Sequence, residues 1–242
     1  QLCRLIRRIR PTTVNAATPK AAFLGMLAAR ICRVPQRVYV VWGLRFETAH
    51  GWRRRLLRLL ERIATSSATH VLYNSASLRE VAIAERVVTE QRAALLSGDA
   101  GNCVCMSRFD QLPSPAEARR ALGLTEDDIV VGFVGRLTKD KGIDDIVSLF
   151  IEGDLAARLM LVGGFEGGDP VSPATRTAIE QCDRILHVPW MDDPRIAFSA
   201  MDILAFASYR EGLPNVPMEA QRCRVPVVGY AATGTVNMAD LA

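Results

Sequence analysis

Short apolar runs rich in valine and isoleucine alternate along the chain with longer segments in which apolar residues recur at the helical period. This alternation is typical of parallel β-α-β units, because a strand buried on both faces is apolar throughout while its crossover helix is amphipathic. It predicts an α/β fold. For the first half we predict one open sheet, with strands near residues 13–15, 37–42, 70–74 and 93–96 and helices near residues 20–32, 52–66 and 75–85.

A proline-containing segment, SRFDQLPSPAEARRALGL, follows these elements. Pro113 and Pro115 interrupt any regular element there, before Ser114 or a neighbour can cap a short helix. We therefore predict a domain boundary that separates residues 1–110 from residues 111–242. Beyond it we predict a second doubly wound sheet, whose ligands would bind beyond the carboxyl ends of its strands. Its strands are predicted near residues 129–134, 158–162, 185–188, 203–207 and 225–229, and its helices near residues 143–150, 173–181, 194–200 and 216–222.

The composition excludes disorder and a membrane-spanning segment. Of the 242 residues, 49% are apolar, which is enough for one or two packed cores. No run approaches the roughly 18 apolar residues of a membrane span, because Arg30, Arg33 and Arg37 interrupt the most apolar early stretch. The pattern therefore predicts a soluble or peripheral protein.

We expect the sequence to be a fragment. Its first segment, LCRLIRRIRP, resembles the end of an amphipathic helix rather than a signal peptide. Its last segment, VPVVGYAATG, is a small strand and turn without the closing helix that α/β domains use to cover a sheet face. Parts of the fold are therefore expected upstream of Gln1 and beyond Ala242.

The cysteine pattern indicates a reducing cytoplasm. None of the six cysteines forms the C-x-x-C pair that a zinc site favours. Cys103 and Cys105 stand two apart near glycines and could bind a metal, but we favour the alternative that they are buried small side chains, and we predict no metal site. The six cysteines are Cys3, Cys32, Cys103, Cys105, Cys182 and Cys223.

The charge is distributed unevenly. Residues 1–110 carry 18 Lys and Arg against 7 Asp and Glu, whereas the remainder carries 12 against 19. This split supports two domains, and a basic first half could face an anionic membrane surface, a polyanion or a phosphate-bearing substrate. The alternative is a solvated arginine-rich helix that contains Arg53, Arg54, Arg55, Arg58 and Arg62.

One candidate phosphate site follows the predicted strand IVVGFV, where Gly135 to Gly142 lead into a helix. Gly135 permits a close backbone approach, and the helix start offers N–H groups and the positive end of its dipole. Arg136 and Lys141 can neutralise a diphosphate. A polar loop with surface cations is the alternative, and this loop alone does not decide between the two.

A second constellation, SYREGLPNVPME, follows the apolar strand DILAFA and opens a helix. We predict that Asn215 caps this helix and that Pro217 lies in its first turn. Glu219 would then project from the helix, and Glu211 would remain in the loop. Such carboxylates can accept hydrogen bonds from the vicinal hydroxyls of a sugar and of a ribose. The alternative roles are helix-dipole compensation and surface solvation.

These motifs occur in a recognisable order: GFVGRLTKDKGIDD, RLMLVGG, HVPWMDDP and AMDILAFASYREGLPNVPMEA. The order resembles that of the family 4 retaining glycosyltransferases of the GT-B fold. In the first half, TPKAAFLGMLAARICRVPQRVYVVWGLRFETAHG and HVLYNSASLREVAI resemble the acceptor-side domain of that family. The first half looks most like the corresponding domain of bacterial enzymes of polysaccharide and O-antigen assembly. These enzymes transfer a sugar from a UDP-linked donor to a polyprenyl-diphosphate-linked saccharide.

The resemblance implies two Rossmann-like domains and a hexosyl transfer with retention. It implies a nucleotide-sugar donor, no further cofactor or metal, a saccharide or polyprenyl-linked acceptor, and no nucleic-acid partner. The enzyme would be cytoplasmic, with peripheral contact to the inner face of the cell membrane.

The resemblance also assigns roles to individual residues. Arg136 and Lys141 would hold the donor diphosphate, and the backbone amides of residues 212–215 would face phosphate. Glu211 would lie near the donor sugar, and Glu219 would lie on the ribose. The predicted catalytic residues are Glu211, Arg136 and Lys141. The predicted donor-binding residues are Gly135, Arg136, Lys141, Gly163, Glu211, Gly212, Leu213, Pro214, Asn215, Val216 and Glu219.

The chain departs from the family pattern on the acceptor side. Asn15, Ala17 and Trp42 stand where similar proteins place histidines, and Cys103 and Cys105 replace a glycine and an aspartate. A catalytically silent homologue that still binds a nucleotide sugar is therefore an alternative. A dehydrogenase is disfavoured, because no G-x-G-x-x-G follows a predicted strand. The chain's histidines lie elsewhere and are expected to be structural or superficial: His50, His70 and His187.

Overall fold

The computed structural model describes residues 1–96 and 104–239, which form two compact units. The first unit contains residues 1–96 together with residues 210–213 and 232–239. The second contains residues 104–209 and 214–231. The chain therefore contributes two late segments to the unit that its first half builds. The predicted boundary near residue 110 stays a prediction.

The first unit is built on a parallel sheet of four strands in the order β1-β2-β3-β4. In register, Val38 of β2 lies opposite Asn15 of β1 on one side and His70 of β3 on the other. The strands are β1 (Thr13–Ala16), β2 (Gln36–Val41), β3 (His70–Tyr73) and β4 (Ala93–Leu95). The helices are α1 (Leu2–Ile9), α2 (Pro19–Ile31), α3 (Gly51–Ser67) and α4 (Ala76–Ala84), with a 3₁₀ turn at Glu90–Arg92.

The core of the first unit lies between this sheet and its helices. The central strands supply large aromatic and branched side chains, and α2 supplies mainly small ones, which allows the helix to approach the sheet closely. Helix α1 packs through Ile6 against the C-terminal end of α2, at Ala28 and Ala29. The central core residues include Tyr39, Val41, Val71, Tyr73, Ala22, Met26, Ala64 and Leu78.

A carboxylic acid is buried beside this core. The side chain of Glu61 on α3 accepts a hydrogen bond of 2.7 Å from the hydroxyl of Tyr39 on β2, and Glu61 is only 5% exposed. Burial raises the pKa of the Glu61 carboxyl to about 7, although the hydrogen bond from Tyr39 opposes the shift. The one acidic side chain of α3 therefore points inward.

The second unit is built on a parallel sheet of five strands in the order β7-β6-β5-β8-β9. The strands are β5 (Val130–Val134), β6 (Arg158–Val162), β7 (Ile185–Val188), β8 (Ile203–Phe206) and β9 (Val227–Gly229). The helices are α5 (Pro115–Ala121), α6 (Ile143–Glu152), α7 (Pro173–Gln181), α8 (Pro194–Ala200) and α9 (Asn215–Arg222), with 3₁₀ turns at Met106–Phe109 and Lys139–Lys141.

Helices cover both faces of this second sheet. Alternate residues of a strand point to opposite faces, and along β6 Leu159 packs into one core while Met160 packs into another. The first of these cores is completed by α6 and α7, through residues such as Ile146 and Ile179. The other is completed by α8 and α9, through residues such as Phe198. The second unit is therefore doubly wound, as predicted.

The structure confirms every predicted strand and helix, with small differences at their ends. Strand β9 begins at Val227 rather than at Val225. The short helix predicted after Pro113 is α5, and Ser114 caps it in a reciprocal capping box with Glu117. One further helix, α10 (Val236–Ala239), follows β9, where the sequence pattern had predicted no helix.

The cysteine and histidine predictions have mixed outcomes. Cys105 is exposed, so the prediction that it is a buried thiol is wrong; Cys103 lies outside the described residues. His50 and His70 lie on the surface, as expected. The ring of His187 is structural, because its Nε2 lies 2.9 Å from the carbonyl oxygen of Gly163.

Within residues 1–96 and 104–239 no helix combines the length and apolar character needed to cross a bilayer.

The buried Glu61 makes the stability of the first unit depend on pH. The folded state keeps the carboxyl proton up to a pH of about 7, whereas the unfolded chain releases it near the ordinary value of 4.5, so stability falls as pH rises between these values. We expect the wild type to lose about 2.5 kcal/mol between pH 5 and pH 8 relative to Glu61→Gln, which keeps an acceptor for Tyr39. Urea unfolding at both pH values measures the difference. Parallel pH profiles of the two proteins would contradict this account.

Candidate functional site

The candidate site lies at the carboxyl edge of the second sheet. Strand β5 pairs with β6 on one side and with β8 on the other, all in parallel. The loops that follow these three strands therefore emerge at the same edge, where doubly wound sheets bind ligands. The predicted residues from Gly135 to Lys141, together with Gly163, lie in the first two of these loops.

Two glycines hold the ends of β5 and β6 in direct backbone contact. The N–H of Gly135 donates to the carbonyl oxygen of Val162 at 2.9 Å. Both glycines have positive φ, 147° at Gly135 and 142° at Gly163. A Cβ atom on Gly163 would lie 1.8 Å from the carbonyl oxygen of Gly135, so no side chain fits there. Glycine at residue 163 is therefore required by packing as well as by conformation.

The loop after Gly135 is held along its length. The N–H of Leu137 donates to Gly164 O at 2.8 Å, and the N–H of Asp140 donates to the carboxylate of Asp169 at 2.7 Å. Gly142 has a φ of 71°, and a Cβ atom there would lie 2.1 Å from the carbonyl oxygen of Ala207. This loop is consequently fastened to the loops that follow β6 and β8.

The two predicted cations differ in their surroundings. Arg136 is exposed and forms an ion pair with Glu166, which a phosphate would have to replace or share. Lys141 is half-buried and ends the 3₁₀ turn that precedes α6. The first turn of α6 already carries Asp144 and Asp145, which compensate the helix dipole. The cations, rather than the start of α6, are therefore the main source of positive charge in this loop.

An aromatic pair lies at the same edge. The hydroxyls of Tyr209 and Tyr230 both donate to the carboxylate of Asp145, at 2.7 and 2.8 Å, and their rings stack with centroids 5.9 Å apart. The hydrogen bond to Asp145 raises the pKa of the Tyr209 hydroxyl to about 12, with burial adding to the shift. Sequence reasoning missed this pair, because the two tyrosines follow different strands.

The helix that follows β8 begins differently from the prediction. Pro214, with extended backbone angles, occupies the N-cap position, so the prediction that Asn215 caps α9 is wrong. Asn215 is already helical and is exposed. The N–H groups of Asn215 and Val216 belong to the first turn and have no acceptor within the helix. Pro214 has no N–H, so it cannot present an amide to phosphate as predicted.

Glu219 lies on α9 and is half-buried. Burial raises the pKa of its carboxyl above the ordinary value, and the charge of Arg108 opposes this shift. The carboxylate is thus less well solvated than that of a surface glutamate. Hydroxyl groups of a ligand would compensate for that lost solvation.

Residues Arg210–Leu213 belong to the first unit and are bound within it. The N–H of Glu211 donates to the carbonyl oxygen of Thr233 at 3.0 Å. A Cβ atom on Gly212 would lie 2.4 Å from the carbonyl oxygen of Trp42. With its amide oriented to suit its neighbours, Asn74 accepts from the N–H of Leu213 at 3.2 Å. The Leu213 amide therefore has an acceptor within its own unit, and its role toward phosphate stays a prediction.

A polar network beyond these residues was missed by the sequence reasoning. The N–H of Gly234 donates to Ser77 Oγ at 2.8 Å, and Ser77 Oγ donates to Asn237 Oδ1 at 2.5 Å. The hydroxyl of Thr233 donates to Glu47, whose carboxyl has its pKa raised by burial. The available signal was Ser77, which lies in the first turn of α4 just beyond the carboxyl end of β3, where polar residues are often functional.

The structure thus divides the predicted residues into two sets, each within one unit. The residues in the second unit are Gly135, Arg136, Lys141, Gly163, Pro214, Asn215, Val216 and Glu219. Those in the first unit are Glu211, Gly212 and Leu213. Their roles in donor binding stay predictions. Among residues 1–96 and 104–239 no group of three or more His, Cys, Asp or Glu side chains could hold a metal ion.

The glycine contact leads to a stability prediction. Gly163→Ala places a Cβ atom against Gly135 O and strains the backbone, so we expect the second unit to lose about 3 kcal/mol or more of stability. The matched control is Gly164→Ala, whose Cβ atom would lie 3.8 Å from its nearest neighbour and should change stability by less than about 0.5 kcal/mol. Denaturant unfolding of both variants gives the comparison. Equal losses would show that the contact is not restrictive.

Comparison with known proteins assigns both halves of the chain to glycosyltransferase families. Residues 115–240 match the family described as "Glycosyl transferases group 1". Residues 1–98 match the "Glycosyl transferase 4-like domain".

Two curated bacterial relatives are considerably longer than this chain. It is 31% identical over 236 residues to the capsular polysaccharide biosynthesis glycosyltransferase CapM of Staphylococcus aureus, a match that covers 96% of this chain and 62% of CapM. It is 25% identical over 234 residues to the Escherichia coli UDP-Gal:α-D-GlcNAc-diphosphoundecaprenol α-1,3-galactosyltransferase, covering 94% of this chain and 59% of that enzyme. The chain therefore spans about six-tenths of the length of these relatives.

Solved structures share its fold. HepE of Anabaena, crystallised with UDP and glucose, matches with a TM-score of 0.77 at 20% identity, over 97% of this chain and 64% of HepE. Sucrose-phosphate synthase of Thermosynechococcus elongatus matches with a TM-score of 0.77 at 20% identity, over 96% of this chain and 59% of the synthase. These likenesses confirm the predicted GT-B fold. The match to the group 1 glycosyltransferase family, residues 115–240, covers more than half of this chain. The chain therefore belongs to the group 1 glycosyltransferases.

Proposed function

We propose that this chain binds a UDP-sugar and takes part in transferring its hexosyl group, with retention, to a saccharide or polyprenyl-diphosphate-linked acceptor. The observation that carries the proposal is the carboxyl edge of the second sheet, where a glycine contact fixes the loop that bears Arg136 and Lys141. The names of the relatives support it. The Escherichia coli enzyme is named for a UDP-galactose donor and a diphosphoundecaprenol-linked acceptor, and HepE was crystallised with UDP.

The diphosphate of the donor becomes the leaving group, and negative charge grows on it as the bond to the sugar breaks. Arg136 and Lys141 stabilise that charge, each charge-assisted hydrogen bond contributing roughly 1.5–3 kcal/mol. The first-turn N–H groups of Asn215 and Val216 add the positive end of the α9 dipole. This fixed electrostatic stabilisation acts where charge develops in the transition state, which is a role that a divalent ion has in other transferases.

The two glutamates have separate roles in this proposal. Glu219, whose raised pKa reflects incomplete solvation, accepts hydrogen bonds from the ribose hydroxyls. Glu211 accepts hydrogen bonds from the hydroxyls of the donor sugar, and its backbone is fixed by the hydrogen bond to Thr233.

We place the reaction in the cytoplasm, at the inner face of the cell membrane. The anomeric configuration of the product, read by NMR, tests retention.

A second candidate is a silent homologue that binds a nucleotide sugar without turnover. It is favoured by Asn15, Ala17 and Trp42, which replace histidines of similar proteins. They lie at or just beyond the carboxyl ends of β1 and β2, and Trp42 is 45% exposed there. Such a protein would lack an imidazole for the acceptor but would keep the donor site.

Titration of the purified chain with UDP and UDP-sugars, without added metal, tests the proposal. We expect heat of binding for both ligands, and release of UDP when an acceptor saccharide is added. Binding without release would identify the silent homologue. An absence of binding to all of these ligands would refute the donor site.

Loss of one loop cation should weaken donor binding selectively. Lys141→Ala is expected to lower the affinity for UDP by at least about tenfold, because it removes a charge-assisted hydrogen bond to the diphosphate. The matched control is Lys139→Ala, which removes the same charge from an exposed position in the same 3₁₀ turn. Calorimetry of both variants measures the effect. Unchanged UDP affinity in Lys141→Ala would sink the assignment.

The two glutamates should separate binding from turnover. Glu219→Gln is expected to weaken UDP binding about fivefold to tenfold. The wild type should lose UDP affinity as acid protonates the Glu219 carboxyl, and the variant should not show this loss. That loss begins at a higher pH than for an ordinary glutamate, because the pKa is raised. Glu211→Gln is expected to leave UDP affinity within about twofold while lowering kcat about 100-fold. The opposite pattern would exchange the two roles.

A further inference from the structure

Two cysteines from different helices meet at one end of the first unit. Cys3 lies on α1, and Cys32 follows the last turn of α2, 29 residues further along the chain. The thiol of Cys32 lies 3.6 Å from the carbonyl oxygen of Cys3 and is in hydrogen-bonding contact with the Cys3 thiol. Both are free thiols, and both are half-buried. The packing of the two helices therefore holds two thiols against each other.

Helix α1 is attached to the first unit mainly through α2. Ile6 is the one buried residue among the eight of α1, and it packs on the same small apolar cluster that Cys3 and Cys32 contact. A helix of this length is not stable by itself in water. A covalent bond between Cys3 and Cys32 would therefore fasten the start of α1 to the end of α2.

A cleft gives access to the Cys32 side chain. Its volume is about 550 Å³, and it lies between the end of α1 and the segment that follows α2. Arg7, Arg10 and Arg33 line this cleft and are exposed. In the part of the chain that the structure describes, none of the three forms an ion pair. The cleft therefore favours a molecule with negative charge close to the two thiols.

The surroundings keep Cys32 as a thiol at neutral pH. Burial and the contact with Cys3 raise the pKa of the Cys32 thiol, and the charge of Arg7 opposes this shift. Only the thiolate form of a cysteine attacks a disulfide. The pair is therefore held in its reduced form, with the cleft as the route by which an oxidant reaches it.

We propose that Cys3 and Cys32 form a reversible disulfide by exchange with an anionic low-molecular-weight disulfide of the glutathione type. The thiolate of one cysteine attacks a sulfur of the bound disulfide RSSR, a mixed disulfide forms, and one RS⁻ leaves. The thiolate of the other cysteine attacks the protein sulfur of the mixed disulfide, the Cys3–Cys32 bond forms, and the second RS⁻ leaves. The two cysteines give up two protons and are oxidised, while RSSR is reduced to two RSH.

This modification goes beyond the proposed transfer, because it needs neither donor nor turnover. Disulfides in a reducing compartment are usually transient or redox-sensing. The bond would close a loop between residues 29 apart, which restricts the unfolded chain and stabilises the folded first unit. Oxidation would thus change the attachment of α1 without changing the residues of the candidate donor site.

Equilibration with mixtures of reduced and oxidised glutathione tests the proposal. The chain carries C103S/C105S, which removes the exposed Cys105 and its near neighbour in sequence. We expect a mass loss of two hydrogen atoms and a peptide in which Cys3 is joined to Cys32. This bond should form at a ratio of oxidised to reduced glutathione at least about tenfold lower than the ratio that modifies Cys182, because its two thiols are already adjacent. Addition of glutathione to Cys3 or Cys32 without a bond between them would overturn the proposal.

Serine variants locate the bond. Cys3→Ser and Cys32→Ser should each abolish it, whereas Cys182→Ser, at a half-buried position after α7, should leave it intact. The oxidised chain should unfold at least about 5 °C above the reduced chain, and neither of the first two variants should show this rise. The mass and the midpoint are measured on the chain that keeps both cysteines, so poor folding of a serine variant does not affect them. Equal midpoints of the oxidised and reduced chains would show that α1 is not fastened.

Charge variants test the class of oxidant. Oxidation rates are compared for glutathione disulfide, which is anionic, and for cystamine, which is cationic. The ratio of the two rates should fall at least about fivefold in R7Q/R10Q/R33Q and in high salt. The control R53Q/R55Q/R120Q removes the same charge from exposed positions outside the cleft and should keep the wild-type ratio. Equal ratios in both variants would show that the cleft does not select an anionic disulfide.

Discussion

The candidate site at the carboxyl edge of the second sheet depends on one backbone contact, between Gly135 at the end of β5 and Gly163 at the end of β6. Any side chain on Gly163 would occupy the space of the Gly135 carbonyl. Because the two strand ends touch, the chain after Gly135 turns across the edge of the sheet, and Asp169 and Ala207 then hold it there. Arg136 and Lys141 owe their positions to this path. The conformational freedom that glycine loses on folding is the cost of a loop that is fixed before any ligand arrives.

Much of this architecture could be predicted from the sequence, since the signals are local. Runs such as VVGFV and RLMLV are apolar throughout because both faces of their sheet are covered, and each became a strand. The predicted cap at Asn215 failed for a local reason as well. Pro214, whose backbone is extended, takes the N-cap position, so α9 begins at Asn215, one residue earlier than predicted. Asparagine is favoured at a cap, but here it is the first residue of the helix.

Other features could not be predicted, because they depend on residues far apart in the chain. Asn74 and Leu213 are separated by more than half of the sequence, yet one hydrogen bond joins them. A charge count likewise could not tell which arginines of α3 form ion pairs and which face solvent. Only the structure shows that Arg54 and Arg58 bind Glu85 while the arginines around Trp52 face outward.

The late segments 210–213 and 232–239, which complete the first unit, also bear on how such chains can be recombined. A graft of the second half onto the first unit of a relative would carry Gly212, Leu213 and Gly234 into a new host. That host would need an asparagine and a serine after its third strand to receive them. Exchange between relatives is therefore constrained by two short peptides, and a junction placed only at the linker would leave both without their native partners.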